Sequence, residues 1–343
     1  MKTNLIKLIG ALSLVSFSVI HTKAQTIDNI YNWSEAPSIK TPIQEIYPAI
    51  FNKEIYISGG FVPSNTPIFF GLSPSKLTFI FNTESQQWRE GAKLPEERHH
   101  LGLVSNSTYL YGIGGFYGQK GKAWQIKNTV YRLDKTANTW LNGPKLPIPL
   151  AESVYASVGN NIHVIGGKTL SPETGKHVDT KKHYILLDNK QWVEAAQPSI
   201  VRNSAASAVL NNKIYVIGGR QAGVQSGNKQ FAEVYDIESD KWTAIQPLPV
   251  ALAGMSASTL NGKIIVAGGE AFGPNGNWKE GKAYNQVWAF DPETDKWSEI
   301  LTMPSARHGH GSVTLNNKLY IMGGAAKVGP QETLATTLIL VKD

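Results

Sequence analysis

A short motif, an apolar segment followed by two glycines, recurs six times along the chain at nearly constant spacing. The glycine pairs lie at 59–60, 114–115, 166–167, 218–219, 268–269 and 323–324, so successive pairs are 55, 52, 52, 50 and 55 residues apart. In every copy a tryptophan lies 27 positions before the second glycine: Trp33, Trp88, Trp140, Trp192, Trp242 and Trp297. A period of about 50 residues is typical of arrays in which each repeat is one small sheet. The repeat therefore favours one closed repeat domain over the two domains that length alone suggests.

The fourth repeat shows how one unit is built. Residues 204–210 are small or β-branched and predict a strand, and 211–213 (Asn-Asn-Lys) predict a turn, because asparagine tolerates positive φ. Residues 214–217 form an apolar strand that ends at the glycine pair, where other side chains would clash or φ must be positive. A third strand follows at 231–236, and Trp242 opens a fourth. Each unit thus predicts four antiparallel strands, a to d, numbered from the centre outward.

The glycine pair, the tyrosine three positions before it, the tryptophan and the turn 291–297 (Asp-Pro-Glu-Thr-Asp-Lys-Trp) together resemble the kelch repeat. The resemblance covers essentially all of residues 25–343 and implies an all-β, six-bladed kelch-type β-propeller. The chain stops before a sixth strand d, so we expect the N-terminal strand with Trp33 to close the last blade and remove the open sheet edge. The fold hosts enzymes and binding proteins alike, so it implies no single function.

The N-terminus has the features of a secretory signal. Lys2 and Lys7 precede an apolar stretch at 8–20, and Thr22-Lys23-Ala24 predicts cleavage before Gln25. We therefore expect residues 1–24 to be a signal peptide, residues 25–343 to be one propeller, and the mature protein to be periplasmic or secreted without a membrane span. Three of the seven net positive charges lie in that signal, which leaves +4. This mild excess is compatible with an anionic ligand and does not indicate nucleic-acid binding.

Functional residues are expected in the loops from strand b to c and from d to a, which emerge on one face of the propeller. The position 16 before the first glycine is arginine in three repeats: Arg98, Arg202 and Arg307. Guanidinium groups pair with carboxylate or phosphate in a bidentate manner, so these arginines predict an anion clamp on the rim. The alternative is that they bridge neighbouring blades or bind main-chain carbonyls.

The next two positions carry acid-base and polar groups. Glu45 and Glu152 are the candidate catalytic residues, and His99, His308 and Asn203 are candidate ligand-binding residues. The position after each glycine pair adds three more candidate ligand-binding residues: Lys168, Arg220 and Glu270. The loops that follow contain aromatic residues suited to stacking on sugar rings, or to anchoring the loops themselves: Tyr117, Trp124, Phe272, Trp278 and Tyr284. We expect no metal and no cofactor.

Three functions fit these residues. The first is a binding module whose rim takes a small-molecule or glycan ligand, with an acidic carbohydrate preferred. The second is a sugar mutarotase or epimerase, because a six-bladed kelch propeller behind a signal peptide is similar in outline to the bacterial sialic acid mutarotases. The third is a non-catalytic scaffold for an envelope or extracellular protein. A copper radical oxidase of the galactose oxidase type is excluded, because its cofactor needs a cysteine and the chain has none.

Overall fold

Six four-stranded antiparallel sheets make up the protein. The computed structural model describes residues 31–342 except 135, 137 and 223–226. The expected signal peptide, residues 1–24, lies outside the described residues. The strands of blades 1 to 6, each in the order a, b, c and d, are as follows: Ala49–Phe51, Glu54–Ser58, Thr78–Asn82 and Gln87–Glu90; Gly102–Ser105, Tyr109–Ile113, Val130–Asp134 and Leu141–Asn142; Val154–Val158, Asn161–Ile165, His183–Leu187 and Gln191–Glu194; Ala206–Leu210, Lys213–Ile217, Ala232–Asp236 and Lys241–Ile245; Ser256–Leu260, Lys263–Ala267, Gln286–Asp291 and Lys296–Thr302; Gly311–Leu315, Lys318–Met322, Thr337–Lys342 and Tyr31–Ala36.

The blades form a closed ring around a central axis. Strand a of each blade contacts strand a of the next, and the strands a of blades 1 and 6 also meet. Blade 6 is completed by the N-terminal strand Tyr31–Ala36, which pairs with Thr337–Lys342 so that Trp33 lies opposite Leu340. The predicted six-bladed propeller, with its last blade closed by the N-terminal strand, is therefore confirmed.

Strand b and the glycine pair behave as the repeat predicts. In blade 4, residues 214–217 of strand b are buried, because both faces of the strand pack against neighbouring blades. Gly218 and Gly219 follow with φ of 61° and 92°. A Cβ on Gly219 would lie 2.7 Å from the carbonyl oxygen of Asn203, so the close approach of two chains requires glycine there.

Six tryptophans, five within strand d and Trp140 directly before it, join each blade to the one before it and are called the tryptophans of strand d. Every indole N–H donates to a main-chain carbonyl of the preceding blade or of the segment that follows it, at 2.7–3.0 Å, for the pairs Trp33–Thr302, Trp88–Pro37, Trp140–Ala92, Trp192–Pro144, Trp242–Ala196 and Trp297–Gln246. The constant interval of 27 residues therefore reflects the same hydrogen bond between neighbouring blades, repeated around the ring.

The loops from strand b to c rise on one face and mostly fold as short hairpins. Their strands are Phe61–Pro63 with Leu72–Pro74, Phe116–Gln119 with Lys122–Ile126, Lys168–Leu170 with His177–Asp179, Glu270–Ala271 with Lys282–Ala283, and Ala325–Lys327 with Gln331–Thr333. The loop of blade 5 also contains two single-turn 3₁₀ helices, Pro274–Gly276 and Trp278–Glu280. Within the described residues, no helix is long and apolar enough to cross a membrane.

Candidate functional site

Six residues form a ring around the propeller axis, one from each loop between strand d and the next strand a. Each lies 14 positions before the first glycine of a pair, and each has a left-handed backbone with φ between 49° and 63°. Five main-chain hydrogen bonds of 2.6–3.1 Å join successive members. The members are Glu45, His100, Glu152, Ser204, Gly254 and Gly309. The ring therefore presents large charged side chains from blades 1 to 3 and little side-chain volume from blades 4 to 6.

A cavity of about 310 Å³ lies on this ring, on the face that carries the hairpin loops. Its floor contains Glu45, His100 and Glu152, and its wall on the side of blades 3 to 5 contains Lys168, Arg220 and Glu270. Aromatic side chains form the rest of the wall: Phe61, Phe69, Phe116, Trp124, Phe272 and Trp278. The cavity thus combines ionisable groups with flat apolar surfaces, as small-molecule sites usually do.

His100 lies between the two candidate catalytic glutamates. Its Nε2 atom is 2.9 Å from a carboxylate oxygen of Glu45 and 3.8 Å from one of Glu152. Burial alone would raise the pKa of Glu45, but the charge and hydrogen bond of His100 outweigh it and lower that pKa to about 2. Burial likewise opposes ionisation of Glu152, whose pKa is nevertheless lowered by Lys168 and His100. Both glutamates are therefore ionised carboxylates at neutral pH and can accept hydrogen bonds.

Two further ion pairs continue this network around the wall. Lys168 Nζ is 2.9 Å from Glu152, and Arg220 Nη2 is 2.6 Å from Glu270. His308 lies between Glu270 and Glu45, with its Nδ1 atom 3.4 Å and 3.9 Å from their carboxylate oxygens. Each carboxylate of the cavity therefore has a cationic or imidazole neighbour.

The aromatic groups of the cavity come from the loops of blades 1, 2 and 5. The guanidinium of Arg220 stacks on Phe272 at 3.9 Å from the ring centre. At the mouth, Phe70 from blade 1 contacts Trp278 from blade 5, with ring centres 5.7 Å apart. Phe70 is 67% exposed and has a φ of 43°, which is uncommon for an aromatic residue. Trp278 also lines the cavity, so this contact between the two loops, called the aromatic roof, borders the cavity.

Arg98, Arg202 and Arg307, which were predicted to form an anion clamp on the rim, lie away from the cavity. All three are buried, and none lines the cavity on the ring. Each donates to the carbonyl of the first glycine 16 residues later, for the pairs Arg98–Gly114, Arg202–Gly218 and Arg307–Gly323. Their remaining contacts are also internal, to Glu96 and Thr129, to Phe231 and Glu233, and to Ser305 and Thr336. The alternative interpretation, binding to main-chain carbonyls, describes these contacts, and burial of a guanidinium requires such partners.

His99 and Asn203 also lie away from the cavity surface. His99 is stacked between Phe61 and Phe116, at ring-centre distances of 3.9 and 5.0 Å. Asn203 is buried and donates to Asp179 at 2.9 Å. Of the loop aromatics, Tyr117 and Tyr284 pack beside lysines instead of lining the cavity.

The cavity contains some residues that were not singled out from the sequence, chiefly His100, Phe69 and Tyr47. His100 could have been found, because it occupies the same offset of 14 as Glu45 and Glu152. Phe69 carries no repeat signal, because it lies in a loop whose length differs between blades. Of the other predicted residues, Lys168, Arg220, Glu270 and His308 all line the cavity.

Comparisons with known proteins agree with this architecture. A family profile described as "KLHDC2/KLHL20/DRC7 Kelch-repeats domain" matches residues 152–339, and a "Kelch motif" profile matches 97–147. The chain is 24% identical to Kelch-like protein terF of Aspergillus terreus over 313 residues, which cover 87% of this chain and 65% of that protein. It is 28% identical to human Kelch-like protein 15 over 224 residues, which cover 62% of this chain and 36% of that protein. The chain thus spans about a third to two thirds of these relatives.

Among solved structures, that of YjhT is similar to this chain, with a TM-score of 0.73 and 18% sequence identity. The match covers 90% of this chain and 97% of that one, and at this sequence identity it is evidence for a shared fold alone. With more than half of its length matched by a kelch-repeat profile, the chain belongs to the kelch-repeat family of β-propellers.

Proposed function

We propose that the protein binds a small acidic carbohydrate in the cavity on the axial ring. The observation that carries this proposal is the left-handed backbone of Glu45, His100 and Glu152. Glycine adopts this conformation without cost, as Gly254 and Gly309 do, whereas other L-residues lose roughly 1–2 kcal/mol each. Strained polar residues that converge on one cavity favour a functional role over a purely structural one.

Lys168 and Arg220 are the proposed anchors for the carboxylate of the ligand. They occupy the same position in consecutive blades, directly after the glycine pair. Both side chains line the cavity, so their positive charges are placed to attract a carboxylate within it. In the proposed complex, the ligand carboxylate shares these cations with Glu152 and Glu270.

The aromatic walls suit the apolar faces of a sugar ring. Trp124 lines the cavity from blade 2 and Trp278 from blade 5, and a cavity of about 310 Å³ has room for one monosaccharide unit. Hydroxyl groups of such a ligand would donate to Glu45 and Glu152, whose carboxylates are already ionised. The site thus offers stacking, hydrogen bonding and charge to different parts of one ligand.

Saturation-transfer NMR with N-acetylneuraminate, glucuronate and neutral glucose tests the proposal. We expect signals from one or both acids with the wild-type protein and their loss in the double variant Lys168→Met, Arg220→Met. Lys263→Met is the matched control, because Lys263 pairs with Asp291 on an outer part of blade 5. Equal signals from all three sugars, or unchanged signals in the double variant, would refute the carboxylate anchor.

Interconversion of sugar anomers is the second candidate function. In this reaction a carboxylate, Glu45 or Glu152, would accept the proton of the anomeric hydroxyl while the bond between the anomeric carbon and the ring oxygen breaks, and His100 between them would donate a proton to the ring oxygen. The reverse transfers would then close the ring on the other face of the carbonyl group. Proton NMR of a freshly dissolved acidic sugar would follow this reaction. If the anomers interconvert no faster with the protein than in buffer alone, the protein does not catalyse this reaction, and only the binding function remains.

We also propose that the protein acts after export, since a lysine-flanked apolar stretch precedes the propeller. The intact mass of the protein recovered from outside the cytoplasm would then correspond to residues 25–343. Recovery of full-length chain from the cytoplasm would contradict export.

A further inference from the structure

Two adjacent histidines connect the cavity floor to the protein interior through a chain of hydrogen bonds. The Nδ1 atoms of His99 and His100 are 2.8 Å apart. His99 Nε2 is 2.8 Å from the carbonyl oxygen of Ala123, and His100 Nε2 is 2.9 Å from a carboxylate oxygen of Glu45. His99 is completely buried, and His100 is 6% exposed, towards the cavity.

The partners determine how many protons the two rings carry. A carbonyl oxygen only accepts, so His99 Nε2 must be protonated, and an ionised Glu45 requires a proton on His100 Nε2. One more proton must lie between the two Nδ1 atoms, because two lone pairs at 2.8 Å repel each other. The two rings together therefore hold three protons on four nitrogens. A neutral pair holds two, so this pair carries one positive charge.

The surroundings decide which ring holds that charge. His99 is stacked between Phe61 and Phe116, and the charged groups that act on it are His100, Glu45 and Arg98. Burial and the charge on His100 hold the pKa of His99 well below its usual range. The charge therefore does not reside on His99.

His100 instead faces two carboxylates. Glu45 and Glu152 approach it from the blades on either side, and Lys168, beyond Glu152, is the opposing cation. Burial lowers the pKa of His100, but the two carboxylates outweigh it, so that pKa is raised overall.

We propose that His99 is a positioning residue that keeps His100 as an imidazolium cation in the cavity floor. With this cation, the three carboxylates Glu45, Glu152 and Glu270 are balanced by Lys168, Arg220 and His100. A neutral His100 would remove one positive charge from the cavity floor and so weaken the attraction for an acidic ligand. The charge assignment concerns the ligand-free protein, whereas its consequence for anion binding rests on the proposed function.

Nitrogen-15 NMR of the histidine side chains in the ligand-free protein tests the assignment. At pH 7 we expect His100 to show two protonated ring nitrogens and His99 to show a neutral ring protonated at Nε2. A neutral His100, or an imidazolium at His99, would overturn the proposal. This measurement needs no variant and no ligand.

Two substitutions at His99 then test whether it controls His100. His99→Phe keeps the stacking with Phe61 and Phe116 but offers no acceptor, so the titration midpoint of His100 should fall by at least about one pH unit. His99→Gln offers an amide oxygen to His100 and an amide N–H to Ala123, and it should restore much of the shift. An unchanged midpoint in a folded His99→Phe variant would show that His99 is only a packing residue.

Binding of an acidic sugar separates this proposal from the proposed function. If His100 is an imidazolium but no acidic sugar binds, the proposed function fails and the charge assignment stands. If acidic sugars bind to a protein with neutral His100, the charge assignment fails alone. If both hold, affinity for acidic sugars should fall as pH rises through the titration of His100, while affinity for neutral sugars stays constant.

Discussion

Closure of the ring makes Trp33 a sensitive position for stability. Its side chain is partly buried between blades 5 and 6, and its indole N–H donates to the carbonyl of Thr302 at 2.9 Å. Burial of roughly 150 Å² of indole at ~25 cal/mol per Å² contributes almost 4 kcal/mol as an upper value, and the hydrogen bond contributes about 1 kcal/mol. We therefore expect Trp33→Ala to lower the free energy of unfolding by about 3–5 kcal/mol, as is usual for Trp→Ala substitutions.

Trp297→Ala provides the matched control, because Trp297 has the same role in blade 5, whose four strands are continuous in sequence. Denaturant unfolding gives the two free energies, and hydrogen exchange reports on strand Thr337–Lys342. Trp33→Ala should cost at least as much as Trp297→Ala, and it alone should expose the amides of Thr337–Lys342 to exchange. Unchanged stability in Trp33→Ala, with a loss in Trp297→Ala, would refute closure by the N-terminal strand.

Three further predictions concern the site and its support. Arg307→Met should lower stability by about 1–3 kcal/mol, because the buried carbonyl of Gly323 loses its donor, and calorimetry that shows no destabilisation would contradict this role. The stability difference between wild type and Glu45→Gln should be largest between about pH 4.5 and 6.5. Below pH 4.5 the difference should shrink, because Glu45 takes up a proton in the unfolded chain while the folded protein keeps it ionised down to its lowered pKa of about 2. Above pH 6.5 it should also shrink, because His100 loses its proton as the pH rises through its raised pKa in the folded protein. A flat difference in urea titrations from pH 2 to 9 would contradict the ion pair. Phe70→Gly should leave stability unchanged or higher, since glycine adopts a φ of 43° freely, and should accelerate ligand release; equal dissociation rates would show that the aromatic roof does not retain ligand.

The fold was predictable because its signals are periodic. The interval between Trp33 and Gly60 recurs in every unit, and each recurrence constrains the same contact between neighbouring blades. Closure followed from counting strands, since a sixth strand d was missing at one end and present at the other.

The candidate site was predictable only in part, because a repeat offset locates the backbone but not the direction of the side chain. Glu45 and Glu152 point inward as their position suggested, whereas Arg307, two positions before the ring, turns back to bind Gly323. The roof formed by Phe70 and Trp278 joins loops of different length from blades 1 and 5, which are not adjacent. The repeat pattern does not align residues of such loops, so it could not predict this contact.

The central claim, that an acidic sugar occupies the cavity on the axial ring, is tested most directly by the indole N–H signals of the tryptophans. Trp124 and Trp278 line the cavity, whereas the six tryptophans of strand d lie between blades and serve as internal references. Titration with N-acetylneuraminate or glucuronate should shift the signals of Trp124 and Trp278, assigned by Trp→Phe substitution, and leave the references unchanged. Shifts confined to the strand d tryptophans, or no shifts at saturating acid, would contradict the claim.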